Sequence, residues 1–295
     1  MSHRCFTLAV ALTLSLLVAR AAPQAVLTDT PQPPQPLATP VPRFPPDPQR
    51  IEFEAEDGVK LVGYYYPAAV EPAPVLVLMH WVGGSHCEWV YANLVQWLQN
   101  RGLPEGMVAN PACEGVDARF TLPLAEYPPL PAGRSFAVFA FDYRGHGESG
   151  NAMTGTGRIL QGWLEDSIAA VQTARTLPGV DPDRVATIGA SIGADGAIDG
   201  CGEGCLGALS LSPGSYLGVA YEEAVTTLDR ENKPAWCIVS RQDGESFPVC
   251  EAASGEHYRK IVYEQNEHGM SFFRPDLVPG TGQNILDFLL SVFGN

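Results

Sequence analysis

Gly189-Ala190-Ser191-Ile192-Gly193 joins a short apolar run, Arg184 to Gly189, to a small-residue segment that reads as helix from Ile192 to about Asp199. A strand that turns directly into a helix around a serine holds that serine in a backbone conformation with no room for bulky neighbours. Glycines two positions before and two after remove the Cβ atoms that would clash. Such a turn presents the Ser191 hydroxyl at the carboxyl edge of a sheet and aims the first helical N–H groups at whatever the hydroxyl attacks. The alternative, a Gly-rich turn with an idle serine, lacks any use for that geometry.

A nucleophilic serine needs a base, and the base needs an orienting acid. Downstream, Trp236 to Ser240 reads as a buried strand and is followed by a loop, Arg241 to Ser246, that carries Asp243. The next strand, Tyr258 to Tyr263, empties into Glu264-Gln-Asn-Glu-His268-Gly269. Ser191, Asp243 and His268 each follow a strand, so in a parallel sheet their loops share one edge and the side chains can converge. Glu245 and Glu267 flank this pair and stand as alternative acids.

Two further segments point the same way. Val75 to Met79 is an apolar run ending in His80-Trp81-Val82-Gly83-Gly84, and Phe136 to Phe141 ends in Asp142-Tyr-Arg-Gly-His146-Gly-Glu-Ser149. With the Gly-x-Ser-x-Gly turn, the acid loop and the final His-Gly, the chain resembles the α/β-hydrolases over Ile51 to Asn295, in their esterase, dienelactone-hydrolase-like or serine-aminopeptidase-like branches. The resemblance implies a mostly parallel, twisted sheet of about eight strands with helices on both faces and no large cap domain. It also implies an oxyanion hole from the backbone N–H groups of Ile192 and Val82. Trp81 departs from the glycine usual after the strand-end histidine and is expected to wall the substrate pocket. In the resembling proteins the Asp142–His146 turn is structural. His80 is expected to brace the oxyanion loop, Asp195 to be buried or capping, and His86 and His257 to lie at the surface.

The first residues are not fold. His3 and Arg4 precede a mostly apolar stretch from Cys5 to Ala19, and Ala19-Arg20-Ala21 resembles a signal-peptidase site. Residues 1–21 therefore read as a secretory signal, with an uncleaved anchor as the alternative, and placement is secreted, periplasmic or at the cell surface. Residues 22–50, dense in proline from Pro31 to Pro48, read as an unstructured linker. Residues 51–295 form one α/β-hydrolase domain. A net charge of −15 with three lysines argues against nucleic acid and anionic lipid surfaces as partners. No phosphate loop or zinc pattern is present, so no cofactor and no metal are expected.

Six cysteines remain after the signal: Cys87, Cys113, Cys201, Cys205, Cys237 and Cys250. An even number in an exported chain predicts disulfides, among fifteen connectivities. Proximity favours Cys201–Cys205 and Cys237–Cys250, which leaves Cys87–Cys113; a buried thiol is the alternative for Cys237.

The remaining pattern predicts an opening hairpin (Ile51 to Ala55, Leu61 to Tyr66), helices over Glu88–Arg101, Gly157–Leu177, Tyr216–Leu228 and Ile285–Phe293, and a strand over Leu206–Ser212. Residues 103–134 read as a Pro-rich surface insertion. The segment from Pro213 to Lys233 is consumed by its crossover helix and leaves no chain for a lid. The insertion is expected to be delivered to the edge opposite the site and to reach back only by climbing the side of the domain, which a Cys87–Cys113 bridge would require. The expected activity is hydrolysis of small soluble esters by a Ser-His-Asp triad through an acyl-enzyme. A peptidase or amidase, or a non-catalytic binding protein of the same fold, are the competing readings. A lyase, haloperoxidase or dehalogenase is the remaining class; dehalogenases place aspartate where Ser191 stands.

Overall fold

The computed structural model describes residues 48–103, 107–116, 119–150, 162–276, 278 and 280–294. The signal segment and nearly all of the proline-rich linker lie outside the described residues. Strand β1 (Gln49–Glu54) begins two residues before the expected domain start and pairs antiparallel with β2 (Lys60–Tyr66), Ile51 opposite Gly63. Gly63 is required there because a Cβ would overlap the Phe139 ring and the Phe141 Cβ.

The eight strands order as β1-β2-β4-β3-β5-β6-β7-β8, with β3 (Ala73–Met79), β4 (Ala137–Asp142), β5 (Val180–Ala190), β6 (Cys205–Leu211), β7 (Ala235–Ser240) and β8 (Tyr258–Tyr263) all parallel. Both faces of the sheet are buried, which is why β3 and β4 are continuous apolar runs rather than alternating ones. Leu76 and Leu78 of β3 enter one core with Trp89, Ile285 and Phe288. Val75, Val77 and Met79 enter the other with Trp163, Ile198 and Val225.

Helices α1 (Cys87–Tyr91), α2 (Leu94–Gln99) and α7 (Thr281–Phe293) cover the first face, and α3 (Trp163–Ala174), α4 (Ile192–Asp199), α5 (Tyr221–Arg230) and α6 (Ser246–Ala252) the second. The stripe Tyr221, Ala224, Val225, Leu228 fixes which side of α5 faces inward.

Three expectations are corrected. The helix expected over Glu88–Arg101 is broken into α1 and α2 by Asn93, which takes a left-handed φ of 59°. Asparagine tolerates that conformation, and its amide donates to the Leu122 carbonyl at 2.8 Å, tying the break to the insertion. Helix α5 starts at Tyr221 rather than Tyr216 because the N–H groups of residues 214–216 are captured by Asp195. Helix α3 starts at Trp163; residues 157–161 of the expected helix lie outside the described residues.

The insertion runs over the surface but is anchored in the core. Cys113, Leu122 and Tyr127 are buried in the first core. Tyr127 stacks on Trp97 at 4.8 Å and donates to Ala92 O at 2.6 Å, and Trp97 donates to Pro128 O at 2.8 Å. The Cys87–Cys113 bridge is formed, as are Cys201–Cys205 and Cys237–Cys250. Bridged in this way, the insertion brings Phe120 edge-on to Trp81 with ring centroids 5.3 Å apart. Among the described residues no helix is long and apolar enough to cross a membrane.

Candidate active site

Ser191 sits between β5 and α4 with φ 54° and ψ −119°, a conformation that costs a non-glycine residue on the order of 1–3 kcal/mol. The flanking glycines make it possible. A Cβ on Gly189 would overlap the Gly193 carbonyl, and one on Gly193 would overlap the carbonyl oxygens of Met79 and His80. The first turn of α4 is thereby pressed against the end of β3. Ser191 N–H donates to Leu211 O at 2.8 Å, which ties the turn to β6 as well.

The structure brings Ser191, His268 and Asp243 together. Ser191 Oγ lies 2.8 Å from His268 Nε2, and His268 Nδ1 lies 2.7 Å from Asp243 Oδ2. With the carboxylate as acceptor, Nδ1 carries the proton and Nε2 is free to accept from the serine. The other Asp243 oxygen accepts the Ser246 N–H at 3.1 Å, at the start of α6. Burial alone would raise the Asp243 pKa. The hydrogen bond and charge of His268, with help from the Ser246 N–H and the Ser212 hydroxyl, outweigh it and hold the group at about 2. The histidine backbone is fixed in turn: His268 N–H donates to Ser271 Oγ at 2.7 Å, and that hydroxyl donates to His268 O at 2.9 Å. The imidazole side chain is 34% exposed while Asp243 is 7% exposed, so the ring can meet a substrate while its acid stays shielded. Glu245 accepts from Tyr216 at 3.2 Å, so His268 pairs with Asp243 and not with either flanking glutamate.

Beside this group runs the loop after β3. His80 is fully buried, and burial pushes it down to about 4, so it is neutral. Its Nδ1–H donates to Trp81 O at 2.7 Å and its Nε2 accepts the Tyr143 N–H at 3.1 Å. His146 Nε2 accepts the Gly83 N–H at 3.0 Å, and its Nδ1 faces Arg144 O at 3.2 Å. A trans peptide points its N–H opposite its carbonyl. Holding Trp81 C=O therefore orients Val82 N–H the other way. Val82 is 48% exposed, and the Ile192 N–H, first of α4, has no acceptor within its helix.

No protein-family model matches the chain. Among curated relatives, Uncharacterized protein YfhR of Escherichia coli K12 is 29% identical over 164 residues, which make up 54% of this chain and 44% of the relative. YfhR of Salmonella typhimurium LT2 is 25% identical over 177 residues, 59% of this chain and 47% of the relative. The match spans less than half the length of these relatives. Solved structures cover nearly the whole domain. The esterase Pf2001 of Pyrococcus furiosus superposes with a TM-score of 0.56 at 18% identity, over 89% of this chain and 97% of that one. The alpha/beta hydrolase GrgF from Penicillium sp. sh18 gives 0.57 at 14% identity, over 84% and 99%. The chain has the α/β-hydrolase fold.

Within that fold the remaining polar candidates have structural work. Asp195 is buried and accepts the N–H groups of Gly214, Ser215 and Tyr216 at 3.1, 3.2 and 2.7 Å; burial pushes it up to about 6 against those bonds. His257 is half-buried on Asp229 at 3.1 Å rather than fully at the surface. The larger correction is His86, which is 3% exposed and bonded through Nδ1 to Asp142 Oδ1 at 2.9 Å. A position without strand context carried no sign of this, because its partner is 56 residues away. Trp81, in the loop after β3, is half-buried, with its ring packed on Gly84 and against Phe120. Phe120 itself was invisible in the sequence pattern. Among the described residues one group has metal-ligand spacing, His86 with Cys87 and Cys113, and there both sulfurs are joined in a disulfide.

Proposed function

We propose that the chain is a serine hydrolase cleaving carboxylic esters of small soluble substrates through an acyl-enzyme. The observation that carries this reading is the unbroken relay from Ser191 Oγ through the His268 ring to Asp243, at 2.8 and 2.7 Å. Ser191 Oγ attacks the acyl carbon as His268 Nε2 takes its proton, and Asp243 stabilises the imidazolium. The N–H groups of Ile192 and Val82 receive the oxyanion. His268 then protonates the leaving alcohol, and water retraces the sequence to free the acid. No cofactor takes part in these steps.

Trp81 and Phe120 form the acyl wall and close it early, which favours acyl chains of roughly C2–C6, since each further CH₂ yields about 0.8 kcal/mol only where a pocket buries it. The fold's esterase and hydrolase neighbours are consistent with the chemistry. Three disulfides support an oxidising compartment and accord with reading residues 1–21 as an export signal.

A fluorophosphonate probe tests the reading. The wild type is expected to label and to hydrolyse aryl acetates and butyrates. Ser191→Ala is expected to lose both while its thermal midpoint stays within about 5 °C, because the exchange removes one hydroxyl. Equal labelling or turnover in Ser191→Ala would sink the assignment.

A further inference from the structure

A second carboxylate–imidazole pair follows the oxyanion loop, and it faces sulfur instead of a hydroxyl. Asp142 closes β4, fully buried, and its Oδ1 accepts both the His86 backbone N–H at 2.7 Å and the His86 Nδ1–H at 2.9 Å. With the proton on Nδ1, the Nε2 lone pair points away from the carboxylate. It meets the Cys87–Cys113 bridge, 3.4 Å from Cys87 Sγ and 3.5 Å from Cys113 Sγ. The ring is held in this pose by Tyr64, stacked at 4.4 Å, and by the Asn110 amide nitrogen 3.4 Å from Nε2. Among the described residues the other two bridges have no such neighbour. Cys205 Sγ faces the Gly207 carbonyl at 3.5 Å, and among the described residues no imidazole is bonded to the sulfurs of Cys201–Cys205 or Cys237–Cys250.

We propose that Cys87–Cys113 is a thiol–disulfide exchange site that takes a dithiol reductant, with His86 as its acid–base group and Asp142 as the counter-ion. A thiol of the reductant gives its proton to His86 Nε2, and its sulfur bonds to one cysteine while the other leaves as a thiolate beside the imidazolium. The second reductant thiol attacks the mixed disulfide, closes its own S–S bond and gives its proton to the released cysteine. Two electrons and two protons have passed from the dithiol to the protein. One proton rests on His86 and one on a cysteine, and the remaining thiolate is matched by the imidazolium–carboxylate pair. A reduced form stabilised in this way makes its disulfide more oxidising than one closed between unassisted thiols. Opening it would release the insertion, and Phe120 with it, from the start of α1.

The whole protein, equilibrated in dithiothreitol buffers of graded redox ratio and alkylated, reports each cysteine pair by peptide mass. Cys87–Cys113 is expected to open at a reduced-to-oxidised ratio at least tenfold lower than either other pair, about 30 mV for a two-electron couple. His86→Gln keeps an amide donor for Asp142 but holds no proton. It is expected to raise that ratio about tenfold while leaving the other pairs within twofold. Opening of all three pairs together in the wild type, or an unchanged Cys87–Cys113 midpoint in His86→Gln, overturns the proposal. Cys87 is 3% and Cys113 0% exposed, so the reductant reaches them only when the insertion opens locally, and the ratios are read after full equilibration. The wild-type comparison stands even if the variant does not fold. Peptide mass needs no hydrolytic turnover, so the result is separate from the fate of the serine hydrolase reading.

Discussion

Asp243–His268 and Asp142–His86 are nearly the same object, a carboxylate oxygen 2.7 or 2.9 Å from an imidazole Nδ1, yet they are built for different surroundings. The His268 side chain is 34% exposed and its far nitrogen meets a hydroxyl on a strained turn. The His86 side chain is 4% exposed and its far nitrogen meets a disulfide. In both, burial pushes the carboxyl up, and the imidazole together with neighbouring hydrogen bonds and charges outweighs it, so both acids lie below the ordinary carboxylate range. The pair therefore sets tautomer and charge. What the ring can do is decided by the group on its other side and by whether a substrate can reach it.

Exchanging the two rings for alanine is the strongest way to break this comparison. His268→Ala is expected to lower kcat/KM on an aryl ester by about a thousandfold or more, with stability within about 1 kcal/mol of wild type. His86→Ala is expected to do the reverse. It leaves Asp142 buried without its imidazole, at a cost of about 2–4 kcal/mol in urea unfolding, while turnover per folded molecule stays within about tenfold. Loss of turnover in fully folded His86→Ala would mean that the second pair belongs to the first site.

A third carboxylate sharpens it by lacking a ring altogether. Asp199 ends α4 with both oxygens buried and no hydrogen-bond partner among the described residues, and burial, reinforced by Asp195, pushes it up to about 8. It is neutral in the native state where the unfolded chain is ionised, so stability falls as pH rises from about 4 to about 8 and then levels. Asp199→Asn does not titrate. Its advantage over wild type is expected to grow from near zero at pH 4 to about 5 kcal/mol at pH 8, read by denaturant unfolding across that range. Parallel curves would show that burial alone does not move the carboxyl.

Asp243 carries the opposite sign. Its folded value of about 2 lies below the unfolded one, so its contribution is present above about pH 4 and is lost as pH falls through 2. Wild type is expected to exceed Asp243→Asn by about 2 kcal/mol at pH 6, with the gap closing between pH 4 and 2. A gap that persists at pH 2 would assign the loss to packing instead of to the ion pair.

The contrast between the pairs also explains what could be read without coordinates. Ser191, Asp243 and His268 were legible because each follows a strand, and because the turn at Ser191 admits only glycine at two fixed offsets. The strands of the parallel sheet were legible because burial on both faces writes them as apolar runs. His86 was not legible. Its burial comes from Asp142 and from a bridge closed across 26 residues, neither of which leaves a local pattern. The insertion's anchors were hidden for the same reason, since Pro-rich composition reads as solvent-facing while Leu122, Tyr127 and Cys113 are held inside by partners elsewhere. Asn93 interrupts a helix whose apolar spacing continues through it, because its conformation serves the insertion and not the helix.

The smallest expected effect concerns that insertion. Phe120 meets Trp81 edge-on at 5.3 Å and 77°, a contact worth about 0.5–1.5 kcal/mol. Removing its ring should leave the triad untouched, because Ser191, His268 and Asp243 are fixed by β5, β7 and β8 and by bonds that do not involve residues 103–134. It should also leave the Cys87–Cys113 bridge closed. The proposed acyl wall, however, loses its outer half, and Trp81 gains room to swing outward. Phe120→Ala is therefore expected to keep kcat/KM on an aryl butyrate within about threefold and to raise the octanoate-to-butyrate ratio about fivefold, roughly one extra CH₂ buried. Trp81→Ala should shift the ratio further in the same direction, since it removes the inner half as well. If the ratio stays at its wild-type value in Phe120→Ala while Trp81→Ala shifts it, then Trp81 alone bounds the chain, and the insertion's tether to α1 serves stability without shaping the substrate pocket.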